Sequence, residues 1–329
     1  MGVSVNILKL SVLILSLFTS MIGWGQVSLI PKNIRLVVPF PPGNAADIQA
    51  RALGEQLRKT LGLSVIVDNR PGASGAIALQ YVSASKPDGQ TLLVSSLSPL
   101  VVTPATNKAL PYNVLTDFAP IALLGFNDVV LFSGNSVKTH SLIEVVDYAR
   151  KNPDDFTYAS IGAGTLAHLV MEYFDAKTGL KMRHVPYKGS AQAYTDIIGG
   201  QVSLMFDGLP QSLAQIKAGN FKPLAIASKA RTPFLPNVPT INELKVPGLS
   251  NLVVVGWSGI LAPFATPKET IFALNSEVTK IFNTQEMRDF LATQSLQSYP
   301  VHTPDDFTNY IKSELVSWSA MAKAAGIEP

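Results

Sequence analysis

The sequence predicts an α/β protein of two lobes with a ligand cleft between them. Three observations carry this. Short apolar strands alternate with amphipathic helices between residues 34 and 94, the alternation resumes between 142 and 227, and a C-terminal return of one strand and three helices begins near 253. Such alternation argues for a mostly parallel sheet covered on both faces, and open α/β sheets bind ligands at the C-terminal ends of their strands. The expected division is residues 26–126 plus 251–329 for the first lobe and 127–250 for the second.

Ile34-Arg35-Leu36-Val37-Val38 reads as a buried strand. It empties into Pro39–Asp47 and a helix over 46–60, on which Ala46, Ala50, Leu53, Leu57 and Leu61 recur at three- and four-residue spacing, the mark of one buried helical face. Asn44 is an N-cap residue, and Asp47 completes a capping-box-like start. A strand at 65–67, the turn Asn69-Arg70-Pro71-Gly72, a short helix through Val82, the turn Lys86-Pro87-Asp88-Gly89 and a strand at 91–94 finish the first block. Residues 99–118 read as an irregular connection, followed by strands at 119–124 and 129–132. The second block runs helix 142–151, strand 157–160, helix 165–178, strand 184–187, helix 190–198, strand 203–206, helix 210–218 and strand 224–227. The Pro-rich stretch 231–250 is expected to cross back to the first lobe, before a strand at 253–261 and helices at 267–283, 285–293 and 304–325.

Residues 1–25 stand apart. Lys9 precedes an apolar run, Leu10 to Gly23, and two small residues, Gly23 and Gly25, flank a cleavage position before Gln26. That is the pattern of a secretory signal peptide, too short for a comfortable membrane span. The chain has no cysteine, and export without disulfides suits a bacterial periplasm. With 47% apolar residues, 15% charged residues and a net charge of +3, the remainder can bury a large core but has no basic run. Nucleic acid is therefore not an expected partner.

Three loops share one character: small residues and glycines after a strand, with a helix beginning at once. They are Phe40 to Asp47, containing Pro42, Gly43 and Asn44; Ser160-Ile161-Gly162-Ala163-Gly164-Thr165; and Tyr187-Lys188-Gly189-Ser190. The first N–H groups of a helix have no intrahelical partner and lie at the positive end of its dipole. Three such loops in one chain point to an anion held between helix N-termini. Thr165 can cap its helix or donate its hydroxyl. His168, about one turn further on, faces either the cleft or the packing beneath it. Asp207, at a strand end, either accepts from a ligand or caps the next helix. Trp257 is either core or cleft wall. The histidines 140, 168, 184 and 302 are far apart in sequence, and no metal is expected. No cofactor is implied, because Gly162-x-Gly164 lacks the third glycine of a dinucleotide fingerprint and no phosphate loop is present.

Together these stretches resemble the substrate-binding components of tripartite tricarboxylate transporters, often called Bug receptors. The resemblance runs from about Lys32 to the C-terminus. It is carried by residues 34–43, Asp68-Asn69-Arg70-Pro71-Gly72-Ala73-Ser74-Gly75, Pro87-Asp88-Gly89-Gln90-Thr91-Leu92-Leu93, and Tyr158 to Gly164 with His168-Leu169. Val185-Pro186-Tyr187-Lys188-Gly189, Gly199-Gly200-Gln201-Val202 and Pro236-Asn237-Val238-Pro239-Thr240 extend it. The resemblance implies a type II periplasmic-binding fold, a small organic carboxylate as solute, and delivery to the membrane permease of a tripartite transporter. It also implies that the loop after the first strand and the glycine loop at 160–165 grip one carboxylate, by backbone N–H groups and ordered water. Asn44, Ser95, Ser96, Thr165 and Asp207 are the candidates for reading the distal end of the solute, and Tyr187 supplies a hydroxyl or an aromatic wall. A monomer is expected, since a receptor of this kind must close freely. One departure stands out: the family has two glycines after the paired prolines, and here the second is Asn44.

Two other readings compete. A sensor protein in place of a permease would use the same receptor. A secreted hydrolase would use Ser74 or Ser258 with His168 and Asp207. Gly72-Ala73-Ser74-Gly75 and Gly256-Trp257-Ser258-Gly259 both lack the glycine that a nucleophile elbow places two residues after the serine.

Overall fold

A computed structural model describes residues 29–152, 155–250, 252–299 and 302–327. The expected signal segment lies outside the described residues. The first sheet holds β1 (Asn33–Val38), β2 (Ser64–Asn69), β3 (Thr91–Ser96), β9 (Val255–Pro263) and the first part of β4 (Phe118–Gly134). The second holds the rest of β4 with β5 (Thr157–Ser160), β6 (Arg183–Pro186), β7 (Leu204–Gly208) and β8 (Phe221–Ile226). The strand order is β2-β1-β3-β9-β4-β7-β5-β6, with β8 and the two-residue β10 (Gln297–Ser298) also pairing with β4. The molecule is therefore two-lobed, with β4 running through both sheets.

Nine helices of eight residues or more are seen among the described residues: α1 (Ala45–Leu61), α2 (Ala76–Ser83), α3 (Leu142–Lys151), α4 (Leu166–Thr178), α5 (Ser190–Ile198), α6 (Leu209–Lys217), α7 (Lys268–Phe282), α8 (Gln285–Thr293) and α9 (Pro304–Ala324). Helix α1 buries Ala46, Ala50, Leu53 and Leu57, the periodic face read from the sequence. It stops at Gly62, whose φ of 65° is left-handed and costs glycine little. Among the described residues no helix is long and apolar enough to cross a membrane.

The sheet differs from the mostly parallel one expected. β3–β9, β9–β4, β4–β7 and β4–β8 are all antiparallel, so only the outer strands of each lobe are parallel. The two strands expected at 119–124 and 129–132 are one strand of 17 residues, interrupted by register shifts near Pro120 and Gly125. Residues 98–106 are helical turns rather than an irregular connection. The stretch 231–250 stays on the second sheet, where Ile226 N–H donates to Pro239 O at 2.9 Å. The chain crosses back only at residues 252–255, after Val254 N–H has bonded Ala227 O.

Trp257 on β9 is 1% exposed and packs edge-on to Phe307 of α9, with ring centres 5.8 Å apart. Its Nε1 and that of Trp318 both donate to Glu314 Oε2, at 3.2 and 3.1 Å. The C-terminal helix is thus fastened to β9, the neighbour of β4 in the first sheet.

Candidate functional site

A cleft of about 680 Å³ lies between the lobes. The first lobe contributes residues 39–44 and 72–75 to its walls, and the second contributes 161–162, 165, 187–192, 194 and 210–211. A smaller chamber of about 70 Å³ is lined by Phe40, Asn44, Ser96, Asn127, Asp207 and Trp257, among others. Phe40, Pro42, Gly43, Asn44, Gly162, Thr165 and Tyr187 line the main cleft as the sequence suggested. Trp257 is core and chamber wall at once.

The loop after β1 owes its shape to Gly43, at φ +90°. Asn44 sits at φ −73° and ψ 156°, extended backbone that any residue adopts, so the replacement of a second glycine carries no strain. Its side chain caps α1 by accepting from Ala46 N–H at 3.0 Å. Asp47 does not line the cleft. Its buried carboxylate accepts from Gly43 N–H at 2.9 Å, Asn69 Nδ2 at 2.8 Å and Arg51 Nε at 3.0 Å. Asn69 Nδ2 also reaches Phe40 O at 3.0 Å, pinning the loop to the end of β2. Burial alone would raise the Asp47 pKa, but the bonds from Arg51, Gly43 and Asn69 outweigh it and hold the carboxyl below its usual range. Asp47 braces the loop from outside the cleft lining.

The glycine loop is similarly self-bonded. Gly162 N–H donates to Ser160 Oγ at 3.1 Å, and Gly164 N–H to His168 Nδ1 at 3.2 Å. Thr165 Oγ1 donates to Gly162 O at 2.7 Å, and Leu166 N–H finds Ser98 Oγ of the other lobe at 3.1 Å. Ala163 O accepts from Ser74 Oγ at 2.9 Å, and Gly164 O from Thr103 and Thr106 at 3.2 Å each. Ser160, Ala163, Gly164 and His168 therefore fasten the loop to its surroundings instead of facing the cleft. The donors expected at Gly162 and Gly164 are spent inside the protein.

His168 and His184, remote in sequence, meet with ring centres 4.3 Å apart. His184 stacks on Tyr158 at 5.0 Å and bonds Ser160 Oγ at 2.6 Å, while the Tyr158 hydroxyl donates to Glu172. Burial, with His168 beside it, pushes the His184 pKa down to about 4. Burial lowers the His168 value as well, against the pull of Glu172. Among the described residues no three potential metal ligands gather.

The third loop is the most open. Gly189, the N-cap of α5, offers no side chain, and the first-turn residues Ser190, Ala191 and Gln192 all line the cleft beside Lys188. Tyr187 shows the cleft its ring, because its hydroxyl donates to Asp196 Oδ2 at 2.6 Å. Asp207 accepts from Tyr194 OH at 2.7 Å and from its neighbour Gly208 N–H at 2.8 Å, and burial raises its pKa. It borders the smaller chamber with Ser96. Ser95 borders neither space; it is fully buried in β3.

Sequence reasoning missed the wall at 72–75. Gly72, Ala73, Ser74 and Gly75 have φ of 131°, 48°, 53° and 98° in succession, and all line the cleft ahead of α2. The signal was available: small residues flanked by glycines between β2 and a helix, the character used to pick the other three loops. Neither serine of the hydrolase reading stands in a triad. Ser74 Oγ is given to Ala163 O, and Ser258 is 1% exposed inside β9. The Ser160–His184 contact is part-buried, with Tyr158 and His168 against the histidine ring.

The sequence profile of the tripartite tricarboxylate transporter family receptor matches residues 49–327. BugT of Bordetella pertussis is 34% identical over 296 residues, 90% of each chain. Among solved structures, R. palustris Rpa4515 with adipate is 32% identical, with a TM-score of 0.85 over 90% of this chain and 98% of that one. The periplasmic binding protein BugD gives 30% and 0.83 over 90% and 98%. MatC of Rhodopseudomonas palustris with bound malate gives 27% and 0.82 over 88% and 98%. The two-lobed architecture and a profile match along most of the chain agree: this protein belongs to the tripartite tricarboxylate transporter receptor family, whose members are solute receptors.

Proposed function

We propose that this protein binds a small organic carboxylate in the cleft between its lobes and presents it, without chemical change, to the membrane permease of a tripartite transporter. It acts as a monomer in the periplasm after removal of residues 1–25. Its first lobe is 26–126 plus 251–329, and its second is 127–250. The observation that carries the reading is the start of α5. Its first-turn residues Ser190, Ala191 and Gln192 line the cleft next to Lys188, with no side-chain cap from Gly189, whereas the starts of α1 and α4 are bonded by Asn44, Asp47, Ser98 and His168. Charge-assisted bonds of this kind contribute about 1.5–3 kcal/mol each. A few of them, with the dipole, give micromolar affinity. Adipate and malate in the related structures support the choice of a carboxylate.

Thermal shift against mono-, di- and tricarboxylates tests it. A ligand at a hundredfold excess over its dissociation constant stabilises by about 2.7 kcal/mol, so one acid class should raise Tm by several degrees and be recovered unchanged. Turnover of the acid, or no shift with any acid on solute-free protein, would remove the proposal.

A further inference from the structure

We propose that the solute is a monocarboxylate with a bulky, apolar, ring-sized body, and that di- and tricarboxylates are poor ligands. This rests on the receptor reading above and narrows it. Three features of the cleft lead there.

The first is charge. Among the described residues, Lys188 is the one charged side chain on the walls of the main cleft. The smaller chamber beside it, which shares Phe40, Asn44 and Gln211 with the cleft, holds Asp207, with donors from Ser190, Tyr194 and Gly208 already collected on it. One carboxylate can sit at Lys188 and the start of α5. A second, extended toward Asp207, would meet a buried carboxyl group whose donors are already spent, with no cation to offset it, and an unpaired charge out of water is costly.

The second is the spending of polar groups. Tyr187 and Tyr194 give their hydroxyls to Asp196 and Asp207, so the cleft sees rings. Pro39, Pro41, Pro42 and Pro210 add apolar wall and have no N–H to offer a ligand oxygen. The glycine loop's own N–H groups at 162 and 164 are bonded within the protein. A solute with polar groups along its length would lose water there and find, besides the start of α5, chiefly the side-chain amides of Asn44, Gln192 and Gln211 in exchange.

The third is size. About 680 Å³ falls within the range of roughly 300–1,000 Å³ typical of sites for drug-sized ligands. A four-carbon dicarboxylate would leave most of that space to water against proline and aromatic surface, while a ring fills it and buries apolar area.

Isothermal titration of protein produced from the full chain, freed of any bound solute, decides the matter. The probes are 4-methylbenzoate, 3-phenylpropanoate and cyclohexanecarboxylate on one side, and malate, adipate, citrate and terephthalate on the other. The expected result is that the best monocarboxylate binds at least tenfold tighter than every polyacid. Terephthalate, which replaces the methyl of 4-methylbenzoate with a second carboxylate, should bind at least tenfold more weakly than its partner. A smaller preference, or a reversed one, overturns this inference and leaves the receptor reading in place. Equal affinity for 3-phenylpropanamide and the acid, or no acid binding at all, overturns the carboxylate reading itself. Asp207→Asn keeps an acceptor for Tyr194 and puts an N–H donor where the carboxyl offered none. It should narrow the gap between terephthalate and 4-methylbenzoate at least fivefold, and an unchanged gap in this variant, folded by its melting curve, overturns the role given to Asp207. Lys188→Gln, at an exposed position, should weaken the best monocarboxylate at least fivefold; unchanged affinity overturns the placement of the carboxylate.

Discussion

Replacing Asp47 with alanine removes the acceptor shared by three donors: the Gly43 N–H, the Asn69 amide and the Arg51 guanidinium. The Arg51 side chain is 52% exposed and recovers water, so the ion pair itself contributes little. Gly43 N–H and Asn69 Nδ2 are part-buried, and each costs about 1 kcal/mol or more when its partner is lost. Losing a negative charge in the first turn of α1 adds roughly 0.5 kcal/mol. The total is about 2–3 kcal/mol. With an unfolding entropy of about 2.1 cal/mol/K per residue over roughly 300 residues, Tm should fall by about 3–5 °C. Differential scanning calorimetry at neutral pH reads this. The carboxyl is held below its unfolded value of about 3.9, so its contribution is complete above that pH and is lost as the pH falls through the folded value. The gap between wild type and Asp47→Ala should therefore close under acid conditions. Solute affinity should fall with stability, since the loop at 40–44 loses its anchor. A variant that melts like wild type yet binds nothing would refute this reasoning and return Asp47 to direct contact.

Two further outcomes follow from the second lobe. Gly162→Val should weaken solute binding at least tenfold in titration calorimetry, because the backbone sits at φ +129° and a Cβ there would lie 2.9 Å from Ser74 Oγ across the cleft; retained affinity would free this loop from the closing contact. His184, with its folded pKa pushed down to about 4, favours the folded state fully above its unfolded pKa of about 6.5 and withdraws that support as the pH falls toward 4. His184→Asn should flatten the decline in Tm over that window relative to wild type, and parallel curves would show that His184 titrates alike folded and unfolded.

Local pattern carried much of the architecture. The apolar spacing on α1, the alternation through β3 and the second block from α3 to β8 are all where periodicity put them, because each element's buried face is written in its own residues. Strand direction was not so written. β4 and β9 join the two sheets, and nothing local distinguishes an antiparallel central strand from a parallel one when both faces are buried. Gly125 and Pro120 look like strand ends, yet they mark register shifts inside one strand. At the site, the loops were legible as glycine-rich turns into helices, but not which of their N–H groups stay open. That depends on Ser98, Thr103 and Thr106 reaching residues 164–166 from more than fifty positions away. The same holds for His168 and His184, which stack only because β5, β6 and α4 pack together.

The strand order has a consequence for how the chain can fold as it is made. β9 lies between β3 and β4, yet it is the last long strand in the sequence. The second sheet has all its strands once Ile226 exists, whereas the first, begun at Asn33, lacks its middle strand until Pro263. A chain cut between Ser96 and Val255 would hold β3 with an unpaired edge, an invitation to aggregation. Assembly of the N-terminal sheet must wait for contacts of very long sequence separation, which slows folding. The half of the protein that emerges first is therefore the half that is completed last.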